Sequence, residues 1–231
     1  MAPVQFNRRH VLCGLASGLF PGGARAAAKV DLALVLAIDC SYSVSPQEYQ
    51  LQMRGTAQAL RAPEILKAVA GGARKQIAIC AFLWSDSVTR AVLVPWQLLK
   101  GPADAVAIGN MFLQAPRNVE PGTTATGSAL QYGQSMFASA PLALRHVIDI
   151  STDGTCNEGP EPAAVRDELV AQGTVINGLA ITRDVKDLTD YVQTNVIGGH
   201  QSFMMQANDF NAYGQALREK LFREITNVDL I

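Results

Sequence analysis

Three residues with oxygen-bearing side chains alternate along one short segment of the sequence: Asp39, Ser41 and Ser43. They directly follow an apolar run, residues 32–38, which is too short to cross a membrane. Such a run is typical of a strand that is buried on both faces of a parallel sheet. A carboxylate and two hydroxyls are hard oxygen ligands, which suit Mg²⁺ or Mn²⁺ far better than zinc or copper. The segment therefore predicts part of a site for a hard divalent cation.

Two later segments carry further oxygen donors. Residues 121–127 form a glycine-containing loop that opens a helix and includes Thr124 and Thr126. Residues 148–154 read as a second buried strand followed by Asp153. Because the carboxyl ends of parallel strands meet at one edge of an open α/β sheet, we expect both segments to lie near the first.

Each of these residues also has a purely structural explanation. Asp39 could cap the helix that follows it, and Ser41 and Ser43 could be turn formers. Thr124 is an acceptable helix N-cap, and Asp153 followed by glycine is a common turn pair. One of these motifs alone is therefore weak support for a metal site, whereas all three in this order are far more specific.

Together, the three motifs resemble the metal-ion-dependent adhesion site of von Willebrand factor A-type domains. The D-x-S-x-S motif spans residues 39–43, the T-x-T-G motif residues 124–127 and the T-D-G motif residues 152–154. The resemblance extends over essentially all of the chain after residue 29. It implies a doubly wound α/β fold with the metal at the carboxyl edge of the sheet.

The resemblance also implies a set of metal-binding residues and a kind of partner. Hydroxyls of Ser41, Ser43 and Thr124 would bind the cation, Mg²⁺ or Mn²⁺. The carboxylates of Asp39 and Asp153 would act directly or through water. One coordination position would remain for an Asp or Glu side chain of a protein partner.

Four neighbouring residues could lie behind or beside these ligands: Thr126, Cys40, Cys156 and Glu158. Thr126 could equally be a helix cap, and Glu158 a solvated loop acid. Cys40 and Cys156 are on loops that we expect to meet at the metal edge, so a disulfide between them is one hypothesis. The alternative is that Cys40 and Cys80 are small buried apolar residues.

The chain is also similar to an uncharacterised family of exported bacterial proteins that carry such a domain. This similarity rests on R-D at residues 166–167, I-N-G-L at 176–179, I-G-G at 197–199 and K-L-x-R-E-I at 220–225. It indicates relatives but implies no activity.

Residues 1–28 are predicted to be an export signal rather than part of the fold. The pair Arg8-Arg9 precedes a modest apolar run to Phe20, and residues 24–26 offer a small-x-small cleavage site. This pattern is similar to a twin-arginine signal; an ordinary secretory signal or a basic tail are the alternatives. The apolar run is about half the ~20 residues that a spanning helix needs. We therefore expect a periplasmic protein whose mature chain is not stably inserted in a membrane.

Residues 29–231 are predicted to form one domain, in which strands alternate with helices. This alternation is typical of a doubly wound α/β fold with a mostly parallel sheet and helices on both faces. Predicted strands at 76–84 and 88–94 are too close for a parallel crossover, so they should form a hairpin and give the sheet one antiparallel edge. A formal net charge of −1 and the lack of a basic cluster after the signal argue against nucleic-acid binding.

Several residues are predicted to position these elements rather than to bind ligands. Ser45, Pro46 and Glu48 have the pattern of a capping box that starts the first helix. Asp209 is predicted to cap the closing helix. Asp149 lies inside a predicted strand, where a buried acid paired with a donor is expected in preference to a metal ligand.

The sequence leaves three function classes open. The first is a binding module in which the cation holds an acidic side chain of a protein partner. The second is an accessory subunit in which the metal only stabilises the loops. The third is a metal-dependent hydrolase with Asp39 as nucleophile, but Ser41 stands where such an enzyme typically has a second carboxylate, and no G-x-S-x-G motif is present. We therefore predict a binding module and no enzymatic activity.

Overall fold

A six-stranded mixed sheet forms the centre of the protein. The computed structural model describes Met1 and residues 30–227, so the predicted export signal lies outside the described residues. The strands are β1 (Ala33–Asp39), β2 (Ile77–Trp84), β3 (Arg90–Leu99), β4 (His146–Thr152), β5 (Thr174–Ile181) and β6 (Met204–Ala207). Their order is β3-β2-β1-β4-β5-β6, and only the β2–β3 pair is antiparallel. The predicted fold class is thus confirmed.

Helices cover both faces of this sheet. They are α1 (Pro46–Arg61), α2 (Pro63–Gly71), α3 (Pro102–Gln114), α4 (Thr126–Met136), α5 (Pro162–Ala171), α6 (Leu188–Asn195) and α7 (Tyr213–Thr226). Helices α1, α2, α3 and α7 pack in one apolar cluster, and α4, α5 and α6 in a second on the opposite face. Every residue of β1 is buried as a result, which explains its unbroken apolar run. No helix among residues 30–227 is long and apolar enough to span a bilayer.

The predicted capping box at the start of α1 is confirmed. The backbone N–H of Ser45 donates to Glu48 Oε2 (2.8 Å), and the backbone N–H of Glu48 donates to Ser45 Oγ (3.3 Å).

Further along α1, Gly55 meets Gly214 of α7 so closely that a Cβ added to Gly55 would lie 2.8 Å from Gly214 Cα. The two glycines therefore let the helix backbones touch.

Two predicted boundaries are wrong. Strand β3 does not end at Val94 but continues to Leu99, because it is the sheet's edge strand and its register with β2 shifts around Pro95; edge strands and bulges are where a strand tolerates proline. Asp209 does not cap the closing helix, which begins only at Tyr213. Its carboxylate instead accepts from the N–H of Ala212 (2.9 Å), in the turn that precedes the helix.

A buried cluster of charges joins α7 to the sheet. Lys220, with no exposed surface, donates from Nζ to Asp149 Oδ1 (2.7 Å) and to Glu224 Oε1 (2.5 Å). Asn177 of β5 also donates to Glu224 Oε1 (3.0 Å). Asp149 is thus a buried acid paired with a donor, as predicted. Because a buried charge is stable only with its partners, this cluster fixes α7 against β4 and β5.

Asp149 should make folding stability depend on pH. Burial and the negative charge of Glu224 raise its pKa to about 7, from 3.8 for an ordinary Asp. Between these values the folded chain binds more protons than the unfolded chain, so the free energy of unfolding falls as pH rises from about 4 to about 7. We expect Asp149→Asn to weaken this dependence, measured by urea unfolding across that range. Equal pH dependence in the variant and the wild type would contradict this assignment.

Candidate metal centre

The candidate metal centre lies where the order of the strands reverses. From β1 the chain moves outward to β2 and β3, then returns to place β4 on the other side of β1. In the parallel β1–β4 pair, Ile38 is opposite Ser151. Asp39 ends β1, and Asp153 directly follows β4. The topology therefore brings both carboxylates to the crevice that binds ligands in open α/β sheets.

Hydrogen bonds hold both carboxylate oxygens of Asp39. The residue is 1% exposed; Oδ1 accepts from the N–H of Ser41 (2.8 Å) and Oδ2 from the hydroxyl of Thr152 (2.7 Å). The side chain of Gln52 on α1 donates to the Asp39 carbonyl (3.2 Å). Asp39 is therefore fixed by the loop after it, by β4 and by α1.

A chain of side-chain contacts connects the first loop to Asp153. The hydroxyls of Ser41 and Ser43 are 3.2 Å apart, and Ser43 Oγ donates to Asp153 Oδ1 (2.6 Å). The other oxygen of Asp153, Oδ2, is buried and has no hydrogen-bond partner among the described residues. The structure thus brings four of the five predicted ligands into contact and leaves one carboxylate oxygen without a donor.

Thr124, the fifth predicted ligand, lies beside the turn that follows Asp153. A Cβ added to Gly154 would be 3.5 Å from Thr124 Oγ1. Two hydrogen bonds fix the threonine backbone: its N–H donates to Asn157 Oδ1 (2.8 Å), and its carbonyl accepts from the N–H of Asn157 (2.9 Å). The loops after β4 and before α4 therefore form one unit.

The two acids disfavour each other's charged form. Burial raises the pKa of Asp39, although hydrogen bonds from Ser41 and Thr152 oppose that shift. Burial and the negative charge of Asp39 raise the pKa of Asp153 to about 6. A bound cation would remove this penalty, since an opposite charge favours both carboxylates in their ionised form.

This donor set fits a hard divalent cation. All five side chains offer oxygen, which is the ligand atom that Mg²⁺ and Mn²⁺ prefer. Within residues 30–227, no group of three or more His, Cys, Asp or Glu is placed to hold a metal ion. A cation here would therefore depend on the serine and threonine hydroxyls as well as on Asp39 and Asp153.

Three of the four residues predicted beside the site have side chains that are either buried or hydrogen-bonded. Thr126 begins α4 with its hydroxyl buried and unpartnered, and Cys40 lies in the apolar core under α1. Glu158 accepts from the hydroxyls of Ser87 and Thr123, which lowers its pKa. Its carboxylate therefore ties the β2–β3 turn to the loop before α4.

The hypothesis of a Cys40–Cys156 disulfide is wrong for this structure, in which Cys40, Cys80 and Cys156 are free. Cys40 packs in the cluster under α1, whereas the N–H of Cys156 donates to the hydroxyl of Tyr191 on α6 (3.1 Å). The thiol of Cys156 donates to the carbonyl of Glu158 (3.2 Å), so it has a contact of its own within the loop after β4. Cys40 and Cys80 are buried small residues, in agreement with the alternative to the disulfide.

Three supporting residues lie outside the predicted motifs and were not predicted as part of the site. Gln52 holds the Asp39 carbonyl, and Arg117 donates to the carbonyls of Cys40 (3.1 Å) and Ser41 (3.4 Å). Asn157 holds the backbone of Thr124. None of these residues belongs to a recognisable motif, so no sequence signal identifies them. Thr152, which holds Asp39 Oδ2, could have been found, because it is the first residue of the T-D-G motif.

The chain matches one protein family over nearly all of its described length. The family model described as "Protein of unknown function (DUF1194)" matches residues 29–229. No curated protein matches the chain.

Solved structures with a similar fold include proteins of several kinds. Proximal thread matrix protein 1 from the mussel byssus, with a zinc-occupied MIDAS motif, has a TM-score of 0.61 at 15% identity, covering 87% of this chain and 47% of that chain. A von Willebrand factor type A protein from Catenulispora acidiphila has a TM-score of 0.58 at 18% identity, and the match covers 85% of this chain and 43% of that chain. The vWF domain of the type V pili tip protein Mfa5 from Porphyromonas gingivalis has a TM-score of 0.57 at 10% identity, and the match covers 89% of this chain and 99% of that chain.

These comparisons establish a von Willebrand factor A-like fold. This chain spans about half the length of the first structures that it matches. At such low sequence identities, these matches show a similar fold and nothing more about this chain.

Gly127 allows the loop after β4 to pack directly on the start of α4. A Cβ added there would lie 2.1 Å from the carbonyl oxygen of Pro160, which is far inside van der Waals contact. Because Thr124 and Asn157 belong to the same two segments, this close approach holds the predicted ligands together.

We expect Gly127→Ala to lower the free energy of unfolding by about 1–3 kcal/mol, because the new methyl group must displace the backbone of Pro160. Urea unfolding monitored by circular dichroism measures this change. The matched control is Gly71→Ala at the end of α2, where an added Cβ meets no atom within 4 Å. Equal stability of the two variants would show that the contact at Gly127 is not required.

Proposed function

Because the chain belongs to the family described as "Protein of unknown function (DUF1194)", which states no activity, we propose a function from the site itself. The protein is a divalent-cation-dependent protein-binding module. Asp39, Ser41, Ser43, Thr124 and Asp153 hold Mg²⁺ or Mn²⁺ at the carboxyl edge of the sheet. The cation in turn binds an Asp or Glu side chain of a partner protein.

The observation that carries this proposal is the unpaired carboxylate oxygen of Asp153. Oδ2 is buried without a donor among the described residues, beside a second buried acid, Asp39. Two adjacent buried carboxylates with an unsatisfied oxygen are costly unless a cation compensates them. The surrounding hydroxyls of Ser41 and Ser43 complete a donor set of the kind that hard cations prefer.

The exposure of the site supports a role in binding. Ser43 is exposed, as is Tyr42 beside it, which is 78% exposed. Asp39 and Ser41 lie deeper, at 1% exposure each. A cation held by the deeper residues would therefore present its remaining position toward solvent, where a partner's carboxylate can reach it. The cation would supply charge and direction for that carboxylate, while side chains around it would supply specificity.

The structures with a similar fold are consistent with this class of function. They include an adhesin, SpaC of Lactobacillus rhamnosus GG, and a pili tip protein, and one carries zinc in its MIDAS motif. We therefore propose adhesion-type protein binding in preference to an accessory role for the metal. We propose no catalytic role, because Ser41 occupies the position where a hydrolase of this type would need a second carboxylate.

We expect MgCl₂ or MnCl₂ to bind saturably to the protein in isothermal titration calorimetry. Replacing Asp153 with Asn should weaken that binding by more than about tenfold, because a neutral amide gives the cation less electrostatic stabilisation. The matched control is Asp184→Asn, since Asp184 is an exposed acid whose charge also reaches Asp153. Equal affinities in wild type and Asp153→Asn would contradict the proposed site, as would absence of binding by both metals.

We further propose that the protein is exported to the periplasm by the twin-arginine route. The proposal rests on Arg8-Arg9, the apolar run after them and the small residues at 24–26. Replacing both arginines with Lys should leave the protein in the cytoplasmic fraction, because that route reads the arginine pair. Cell fractionation with immunoblotting measures the change, and unchanged export of the Lys pair would favour an ordinary secretory signal.

A further inference from the structure

An apolar groove of about 370 Å³ begins next to the candidate metal centre. One wall is the first half of α1, with Pro46, Tyr49 and Met53; the other includes Leu113, at the end of α3, and Pro116, beyond it. Leu113 is 47% exposed, so the groove leaves a large apolar side chain uncovered. The Tyr49 hydroxyl donates to the carbonyls of Ala115 (3.1 Å) and Pro116 (3.2 Å), which fixes the two walls against each other.

Two arginines give the groove a positive charge. Arg54 and Arg117 line it together with uncharged residues, and none of its lining residues is Asp or Glu. Arg54 Nε donates to the Gln50 carbonyl (3.2 Å), and among residues 30–227 no acid pairs with its guanidinium. Its terminal N–H groups can therefore bind an external carboxylate, for which a guanidinium is well suited.

Arg117 connects this groove to the metal centre. Its guanidinium donates to the carbonyls of Cys40 and Ser41, within the loop that carries three proposed metal ligands. Pro46, which also lines the groove, is only three residues after Ser43. A peptide whose acid reaches the metal would therefore meet the groove within its next few residues.

We propose that this groove binds the partner segment that supplies the metal-bound carboxylate. That segment is extended and acidic: one Asp or Glu binds at the metal, a nearby large apolar side chain packs between Met53 and Leu113, and a second acid pairs with Arg54. The apolar walls select the large side chain by burial, and the guanidinium selects the second acid. This inference rests on the proposed function and specifies the partner that it requires.

A phage-displayed library of random linear peptides tests the proposal. The library is bound to the full protein in MgCl₂, and bound phage are released with EDTA. We expect the released peptides to be enriched in two acids with a large apolar residue between or beside them. The most enriched peptide is then synthesised with a fluorophore, and its dissociation constant is measured by fluorescence anisotropy on wild type and variants.

Two surface variants leave the metal ligands in place. Arg54→Glu reverses the charge of the groove, and Leu113→Glu places a charge on its exposed apolar wall. We expect each to weaken peptide binding by about tenfold or more, as is common for central interface residues. Matched controls outside the groove are Arg74→Glu and Val106→Glu, both at exposed positions. Metal affinity from calorimetry should remain that of the wild type in all four variants.

The outcomes distinguish failure of the groove proposal from failure of the proposed metal site. If the affinity of the EDTA-released peptides is unchanged by Arg54→Glu and Leu113→Glu, the proposed role of the groove is wrong and the proposed function stands. Absence of metal binding in the wild type would overturn the proposed function, and the groove's role with it. Metal binding without any EDTA-released peptide would overturn the groove as a peptide site. A dimer in analytical ultracentrifugation that Leu113→Glu abolishes would assign the groove to a second copy of this chain.

Discussion

The parallel pairing of β1 with β4 places two buried carboxylates side by side, and the architecture of the site follows from that constraint. Asp39 ends one strand and Asp153 follows the other, so the paired strands bring the two residues to the same edge of the sheet. Burial together with mutual repulsion raises the pKa of Asp153. The hydroxyls around the pair, the tightly packed loops and the helix that starts at Pro46 all act to hold two acids in a place that is unfavourable without a counter-charge.

Local chemistry made much of this arrangement predictable. The capping box of Ser45 and Glu48 depends on residues three apart, and the short connection between β2 and β3 permits only a hairpin. The candidate ligands were predicted from the sequence because their types and spacing form ordered motifs. The fold class followed from the alternation of apolar strands and amphipathic helices, since such elements have few ways to bury their apolar faces.

The remaining features depend on distant parts of the chain and could not be predicted. Gln52 and Arg117 reach the first loop because of how α1 and the segment after α3 pack, and no local pattern specifies that geometry. The failed disulfide hypothesis has the same origin. The two loops do meet at one edge of the sheet, but Cys40 packs in the apolar core and the Cys156 thiol donates to the Glu158 carbonyl. The start of α7 at Tyr213 was also not predicted, because Asp209 accepts from the N–H of Ala212 in the turn before the helix and does not cap the helix itself.

The contact between Gly55 and Gly214 has a mechanical meaning. Helix α1 starts beside the candidate metal centre, and α7 crosses it where the two backbones touch, with no side chain between them as a compressible spacer. Farther along α7, Lys220 ties the helix to Asp149 at the centre of the sheet. Helix α7 is therefore held at two points: near its start by the backbone contact at Gly214, and near its middle by the ion pair of Lys220. A displacement of α1 beside the metal loop would therefore reach α7 first at Gly214, through a contact between two backbones.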